Sequence, residues 1–136
     1  MDIAILGAVE VDPEGSVNVA SFAGRFAGVG GFVNISGSAK RLVFCLTLRA
    51  CGLEVAVERG EVRIVQEGSA AKFVRRLEHV CFHGPTALAR GQQVLYVTER
   101  AVFELTGEGL RLIELAPGID LERDVLARMQ FRPVMP

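Results

Sequence analysis

The sequence predicts an α/β fold built on an open, largely parallel sheet that also carries antiparallel hairpins. Nearly continuous apolar runs at 3–11 and 42–48 are typical of parallel strands that are buried on both faces. Apolar and charged residues alternate around the turn at 59–60, which predicts a hairpin with one wet face, and a second hairpin is predicted around 106–109. One helix is predicted near the end of the chain, so strands outnumber helices.

Turn and capping signals place the remaining elements. Asp-Pro-Glu-Gly at 12–15 predicts a turn, after which a short strand over 17–22 leads into a glycine-rich stretch. The runs at 80–82 and 94–98 are predicted as further strands. Asp120 is expected to cap the final helix, whose apolar stripe is Leu121, Val125, Leu126 and Met129.

Length and composition bound the class of protein. The chain has 136 residues, the length of one domain, and half of them are hydrophobic, which excludes a disordered chain. Such a composition also indicates that another chain or a missing segment covers some apolar surface. The net charge of −1 supplies no field for nucleic acid or an anionic membrane. Without a membrane-length apolar run or a basic leader, a cytoplasmic location is predicted.

The glycine-rich stretch at 27–40, A-G-V-G-G-F-V-N-I-S-G-S-A-K, is a candidate binding loop. Gly28, Gly30 and Gly31 would let a ligand approach main-chain amides, which can hold an anion or a developing oxyanion. The alternative is a tight turn between two buried strands. Asn18 precedes this stretch, where its carboxamide could contact a substrate carbonyl or serve an ordinary turn.

The cysteines and histidines are not predicted to bind a metal or to form disulfides. Cys45, Cys51 and Cys81 form no C-x-x-C pair and two of them lie in apolar runs, so they are expected to be reduced, buried thiols. His79 and His83 are four residues apart on a predicted strand, a spacing too long for a shared ion. No metal site is therefore predicted.

The other notable polar side chains are also interpreted as parts of the fold. Lys72, Arg75 and Arg76 are expected to form a solvated face. Tyr96 is the only tyrosine, and a half-buried strand residue is favoured over a proton donor. Glu99 and Arg100 could pair structurally. None of these residues is assigned a catalytic role.

Three segments carry a family signal. They read L-G-A-V-E-V-D-P-E-G-S-V-N-V at 6–19, G-V-G-G-F-V-N-I-S-G-S-A-K-R-L-V-F at 28–44, and Y-V-T-E-R-A-V-F-E-L-T-G-E-G-L at 96–110 followed by I-E-L-A-P-G-I-D-L-E-R-D-V-L at 113–126. Together they resemble the C-terminal part of family I coenzyme A transferases, of the acetate, propionate and 3-oxoacid CoA-transferase kind. The resemblance implies an incomplete CoA-transferase (NagB/RpiA-like) fold, with 1–136 a single domain, the C-terminal portion of a beta-type domain.

The resemblance also implies a chemistry. Members of the family move CoA between a short-chain acyl-CoA and a carboxylic acid through a glutamyl-CoA thioester, with CoA as a substrate and without a cofactor. Their nucleophilic glutamate lies upstream in an E-x-G-x-x-G-like motif, and this chain contains no such motif. No catalytic residue is therefore assigned here. Gly30 and Gly31 would line the CoA site, with Asn18 near it. Lys40 would either approach the CoA phosphates or cap the exposed face of the segment, and the second role is favoured.

The implied partners are an acyl-CoA, a carboxylic acid and a missing N-terminal segment or alpha-type subunit, within a homo-oligomer and without nucleic acid or membrane. Two functions remain open at this point. The chain is either a portion of an enzyme that gains activity with the missing part, or a truncated, non-catalytic module that folds alone and at most binds CoA or a partner chain.

Overall fold

The computed structural model describes residues 2–18, 39–77 and 79–135. The strands in these ranges are β1 (Ile3–Gly7), β2 (Glu10–Val11), β3 (Val17–Asn18), β4 (Arg41–Cys45), β5 (Arg49–Ala50), β6 (Glu54–Glu58), β7 (Glu61–Gln66), β8 (Ala70–Ala71), β9 (Gln93–Val97), β10 (Ala101–Thr106) and β11 (Gly109–Leu115). The helical segments are α1 (Gly84–Ala89), a π-helical turn at Leu121–Val125 and a 3₁₀ turn at Leu126–Arg128.

A five-stranded sheet in the order β1-β4-β9-β10-β11 organises the described chain. β1, β4 and β9 are parallel to one another, whereas β10 pairs antiparallel with both β9 and β11. Three two-stranded ribbons, β2-β3, β5-β8 and β6-β7, lie outside this sheet. The predicted architecture, a parallel sheet with antiparallel hairpins, is confirmed, and strands outnumber helices in the described ranges.

The prediction that the first apolar run is one strand buried on both faces is wrong. β1 ends at Gly7, and Ile3 and Ile5 are 52% and 69% exposed while Ala4 is buried. β1 lies at the edge of the sheet, and the described residues cover one of its faces. The second run behaves similarly, because Leu42 and Phe44 in β4 are buried whereas Cys45 is exposed.

The predicted hairpins form, but the first is more exposed than expected. β6 and β7 pair across Arg59 and Gly60, which both adopt positive φ, 54° and 76°. Val57 is 72% exposed and Val65 is 53% exposed. Both faces of the hairpin therefore expose apolar side chains to solvent, whereas the prediction was that only one face would be exposed.

Two local predictions near α1 are corrected. Residues 80–82 form no strand, because Phe82 makes a single bridge to Val17 and the chain then turns into α1. Sequence analysis missed α1, since Gly84-Pro85 resembles a turn. Proline is well tolerated there because the first amides of a helix have no partner within the helix.

The last helix begins as predicted and consists of the π-helical turn and the 3₁₀ turn, which ends at Arg128. The Asp120 carboxylate accepts a hydrogen bond from the Arg123 amide at 2.8 Å, which confirms the N-cap. Val125 and Met129 are buried, and Leu121 and Leu126 pack against the core from the side.

The prediction of buried cysteines is also wrong for two of the three. Cys45 and Cys51 are exposed and Cys81 is half-buried, and all three are free thiols. Cys45 points away from the core at the end of β4, and Cys51 lies in a turn with a φ of 65°.

Aromatic rings form the centre of the core beneath the parallel strands. Phe44 stacks on Tyr96 with a centroid distance of 5.5 Å and meets Phe82 at 5.1 Å. Tyr96 is fully buried, not half-buried, because its hydroxyl donates a hydrogen bond to the Gly15 carbonyl. Burial raises the Tyr96 pKa well above its ordinary value. The predicted turn at 12–15 thus closes on the sheet, with Gly15 at a φ of 79°.

Gly15 and Tyr96 should therefore be sensitive to substitution. A Cβ at Gly15 would lie 2.5 Å from Leu105 Cδ1 and 2.6 Å from the Tyr96 hydroxyl, whereas a Cβ at Gly60 meets nothing within 4 Å. We expect Gly60→Ala to cost about 1 kcal/mol through φ alone. We expect Gly15→Ala to cost about 2–4 kcal/mol, because overpacking adds to strain, and Tyr96→Phe about 1–2 kcal/mol. Urea unfolding measures all three, and equal costs at the two glycines would contradict the described packing.

A buried cation joins three parts of the chain near the ends of the parallel strands. Arg100 is fully buried, and its Nε donates to Glu99 Oε2 at 2.7 Å, which confirms the predicted pair. Its Nη1 and Nη2 donate to the two carboxylate oxygens of Glu67 at 2.8 and 3.0 Å. Nη1 also reaches the Asp124 carbonyl at 2.9 Å. One guanidinium thereby ties the β9–β10 turn to the chain after β7 and to the C-terminal helical turn.

The pKa of Glu67 reports this network. Burial alone would raise the pKa, but hydrogen bonds and charge from Arg100 outweigh burial and lower it below the ordinary 4.5. The folded state therefore binds the Glu67 proton more weakly than the unfolded state does. Glu67 contributes its full stabilisation above pH 4.5, and that contribution is lost as the pH falls through the folded-state pKa.

Removing the Glu67 charge should be costly. We expect Glu67→Gln to lower the free energy of unfolding at pH 7 by about 3 kcal/mol, because it leaves a buried guanidinium without one of its partners. We also expect the variant to lose less stability than the parent chain on acidification below pH 4.5.

The matched control is Glu58→Gln. Glu58 pairs with Arg63 at 3.4 Å, and both side chains are about two-thirds exposed, 65% and 67%. Such a surface pair contributes less than about 0.5 kcal/mol. Chemical denaturation at pH 7 compares the two variants, and equal losses would show that the Arg100 network does not stabilise the fold.

Candidate functional site

Polar side chains gather at the carboxyl edge of the parallel strands. Gly7, Cys45 and Val97 are in register as the last residues of β1, β4 and β9, so the loops that follow these strands emerge at one edge. Open α/β sheets bind their ligands at this edge. It is therefore the candidate functional site of the described chain.

Asn18 lies at this edge, at the end of β3. Its backbone carbonyl accepts a hydrogen bond from the Val9 amide at 2.9 Å, which ties β3 to the chain leaving β1. Its side chain is fully buried, and Nδ2 donates to Glu10 Oε1 at 3.3 Å. The Cys81 thiol donates weakly to Asn18 Oδ1 at 3.9 Å. The carboxamide is thus held between a carboxylate and a thiol, and its contact with a substrate stays a prediction.

Lys72 lies beside the candidate site, a position that sequence analysis missed. It was expected in a solvated face, and Arg75 and Arg76 are indeed exposed, but Lys72 is half-buried. Its backbone carbonyl accepts from the Val11 amide at 2.8 Å, which places it beside the β2-β3 ribbon. Burial lowers the Lys72 pKa, and the nearby charges of Glu99 and Glu10 partly oppose that effect. The apolar neighbours of Lys72, Ala71 and Phe73, were the sequence feature that could have indicated its partial burial.

Glu99 connects the Arg100 network to this edge. While Oε2 accepts from Arg100, Oε1 accepts from the Leu48 amide at 2.8 Å. Leu48 is fully buried and follows β4, and exposed Thr47 precedes it. The V-T-E-R sequence therefore fixes the loop after β4 at the candidate site. It performs this task through the hydrogen bonds of Glu99 with the Leu48 amide and Arg100.

Only Ala39 and Lys40 of the glycine stretch are among the described residues. Gly30 and Gly31 lie outside the described residues, so their predicted contact with CoA stays a prediction. Lys40, at the end of that stretch, is exposed as expected and enters β4 at the opposite, amino edge. There it lines a cleft of about 370 Å³ with Arg41 and Arg90.

The histidines take structural positions where the chain is described. His83 precedes α1, and its Nδ1 lies 2.7 Å from the Thr86 hydroxyl. Across the described ranges, no group of three or more His, Cys, Asp or Glu side chains is arranged to hold a metal ion. No helix in those ranges is long and apolar enough to cross a membrane.

Comparison with known sequences gives a consistent set of relatives. The chain is 47% identical over 135 residues to acetate CoA-transferase YdiF of Escherichia coli K12, covering 99% of this chain and 25% of that enzyme. It is 40% identical over 140 residues to caffeate CoA-transferase of Acetobacterium woodii, covering 99% of this chain and 26% of the relative. The chain thus spans about a quarter of the length of these relatives. No protein-family model matches the chain.

The fold agrees with the sequence comparison. Two crystal structures of acyl-CoA transferase (YdiF) from Escherichia coli O157:H7, the apoenzyme and a thioester complex with CoA, superpose with TM-scores of 0.96 and 0.95 at 47% identity. Each superposition covers 100% of this chain and 26% or 27% of the enzyme. The resemblance inferred from the three motifs is confirmed, because the whole chain is similar in sequence and in fold to about a quarter of known CoA-transferases.

Proposed function

We propose that this chain is the C-terminal portion of a CoA-transferase that moves CoA between a short-chain acyl-CoA and a carboxylic acid. The observation that carries the proposal is the superposition of the whole chain, at 47% identity, on an enzyme crystallised as a thioester complex with CoA. A single domain-sized portion of this kind needs the remaining polypeptide, or an alpha-type subunit, to complete the cleft. A homo-oligomer of the completed enzyme is part of the proposal.

The proposed reaction uses a glutamate outside this chain. Its carboxylate attacks the acyl-CoA carbonyl, giving a mixed anhydride and releasing CoA thiolate, which then attacks the glutamyl carbonyl and releases the first acid. The resulting glutamyl-CoA thioester is attacked by the second acid, and the released thiolate takes the acyl group of the new anhydride. Each step exchanges one carbonyl substituent for another, so no oxidant or metal is needed.

The role of this chain in that sequence is to hold CoA and the oxyanions. Amides at Gly30 and Gly31 would stabilise the tetrahedral intermediates, as glycine-flanked amides can. Asn18 precedes that stretch in the sequence, and its hydrogen bonds to Val9 and Glu10 hold the end of β3 at the candidate site. Half-buried Lys72 supplies a positive charge near Glu10 on the same edge. These contacts support a pre-arranged binding edge.

The location of the nucleophile can be tested by mass spectrometry. The test uses the isolated chain and a chimera in which this chain replaces the matching quarter of the Escherichia coli acyl-CoA transferase. With acetyl-CoA, we expect a covalent CoA adduct on the chimera, on a peptide outside this chain, and no adduct or transfer to propionate with the isolated chain.

Two results would revise the proposal. An adduct on a peptide of this chain, at Glu10 for example, would contradict the external nucleophile. A folded chimera that binds CoA but transfers nothing would favour the non-catalytic module.

Asn18 can be tested in the same chimera. Asn18→Asp places a second carboxylate beside Glu10, and repulsion between the two should displace the end of β3 at the candidate site. We expect kcat per folded enzyme to fall about 10–100-fold, the effect of a small misplacement at a reacting centre. Cys81→Ser keeps a donor for Asn18 Oδ1 and should leave kcat close to the parent value.

The folded fraction is measured by calorimetry, so that loss of stability is separated from loss of rate. A parent-like kcat per folded molecule for Asn18→Asp would limit Asn18 to a structural role.

A further inference from the structure

A short segment around Lys72 lies beside the β2-β3 ribbon. Val11 pairs with Val17 across the ribbon and forms a parallel bridge with Phe73 on its other side. The Lys72 carbonyl accepts a hydrogen bond from the Val11 amide at 2.8 Å, which is part of this bridge. Val11, Val17 and Phe73 are fully buried, so their side chains occupy the core face of the three paired segments.

The adjoining residues point to the other face. Successive side chains of paired extended segments alternate between the two faces, and Asn18 is the register partner of Glu10. Asn18, Glu10 and Lys72 therefore form a row of neighbours, which we call the polar row: a carboxamide, a carboxylate and an ammonium. Glu10 and Lys72 are half-buried, and Asn18 is fully buried.

The ammonium of Lys72 keeps its donors available for a ligand. Among the described residues, Nζ forms no hydrogen bond and has no carboxylate within 4 Å. Burial lowers the Lys72 pKa, and the charge of Glu99 opposes this effect, but the two Glu99 oxygens accept from a backbone amide and from Arg100. Glu10 Oε1 accepts from Asn18. A half-buried ammonium with three donors attracts an anion more strongly than one in bulk water does.

We infer that Lys72 binds the carboxylate of the acid that exchanges CoA and thereby selects anionic acceptors. The inference rests on the proposed function, in which a free carboxylate approaches the glutamyl-CoA thioester. One oxygen of that carboxylate accepts from the ammonium while the other attacks the thioester carbonyl. The C–S bond breaks and CoA leaves as the thiolate. The ammonium keeps its proton, because the acid reacts as an anion.

The charges of the polar row determine the direction of the expected effect. The ammonium of Lys72 balances the carboxylate of Glu10, so the row as a whole is neutral and admits a further carboxylate. Without the ammonium the row is negative, and it repels the same ligand. Removal of Lys72 therefore costs both a direct contact and the charge balance.

Kinetics of the chimera test the contact. Lys72→Met removes the charge and keeps a long side chain, and we expect the KM for acetate to rise about 10–100-fold, as loss of a hydrogen bond between charged groups predicts. The kcat should stay close to the parent value. Lys72→Arg retains the charge and should retain most of the affinity. Arg76→Met removes an exposed cation of the same segment and should leave the KM unchanged.

A second substitution tests the charge balance. Glu10→Gln still offers an oxygen to Asn18 Nδ2 and makes the row neutral again in the Lys72→Met background. We expect the double variant to recover part of the affinity for acetate, because the repulsion is gone while the contact is not restored. A KM that rises further in the double variant would show that Lys72 acts through packing and would overturn the inference.

Chemical labelling reads the contact without CoA transfer. Lys40 and Lys72 are the two lysines of the chain, and Lys40 is exposed at the opposite edge of the sheet. The chimera is labelled with an N-hydroxysuccinimide ester in the presence of acetate, acetamide or inorganic phosphate, and mass spectrometry gives the rate at each lysine. We expect saturating acetate to slow labelling of Lys72 relative to Lys40 at least about fivefold, as occupancy of a site predicts, and neutral acetamide to have no effect.

The outcomes separate this inference from the proposed function. An unchanged KM for acetate in Lys72→Met, in a chimera that transfers CoA, would overturn the inference and retain the proposed function. Protection of Lys72 by acetate in a chimera that transfers nothing would retain the carboxylate contact and contradict the proposed function. Protection by phosphate without protection by acetate would assign the ammonium to a phosphate group and overturn the inference. The KM does not depend on the folded fraction, so a partly unfolded variant still gives a result.

Discussion

The ion network around Arg100 is the interaction on which the carboxyl edge depends. A fully buried guanidinium is stable only when its donors are satisfied, and here Glu67, Glu99 and a carbonyl of Asp124 accept from it. Glu99 also accepts a hydrogen bond from the Leu48 amide and thereby fixes the loop after β4. The network therefore joins segments that are distant in sequence and sets the loop geometry at which the candidate site forms.

Local patterns predicted the parts of the fold that local contacts determine. The β10-β11 hairpin, the turn at 12–15 and the Asp120 cap depend on residues a few positions apart, and all three were predicted. Burial of Tyr96 depends on a carbonyl 81 residues away, at Gly15, which no local pattern records. Residues 80–82 were misassigned for the same reason, because their single bridge to Val17 is also nonlocal.

Sequence analysis identified a notable residue type at the candidate site, but it did not predict which side chains meet there. Asn18 was noticed as a carboxamide before a glycine stretch, but its partners Glu10 and Cys81 come together through the pairing of β2 with β3 and the bridge at Phe82. Lys72 was assigned to a solvated face because neighbouring Arg75 and Arg76 suggested a charge run. Charge density along a sequence does not distinguish exposed cations from one that the fold half-buries.

The apolar pattern of the parallel strands predicts more burial than the described residues provide. β1 and β4 carry apolar residues on both faces, and that pattern predicted a sheet covered on both sides, whereas the described chain covers one. The apolar pattern of a strand reflects every segment that packs against it, including segments other than the described residues. The mismatch at Ile5 thus shows that periodicity predicts which faces of a strand are suited to burial, while the described contacts decide which of these faces are covered.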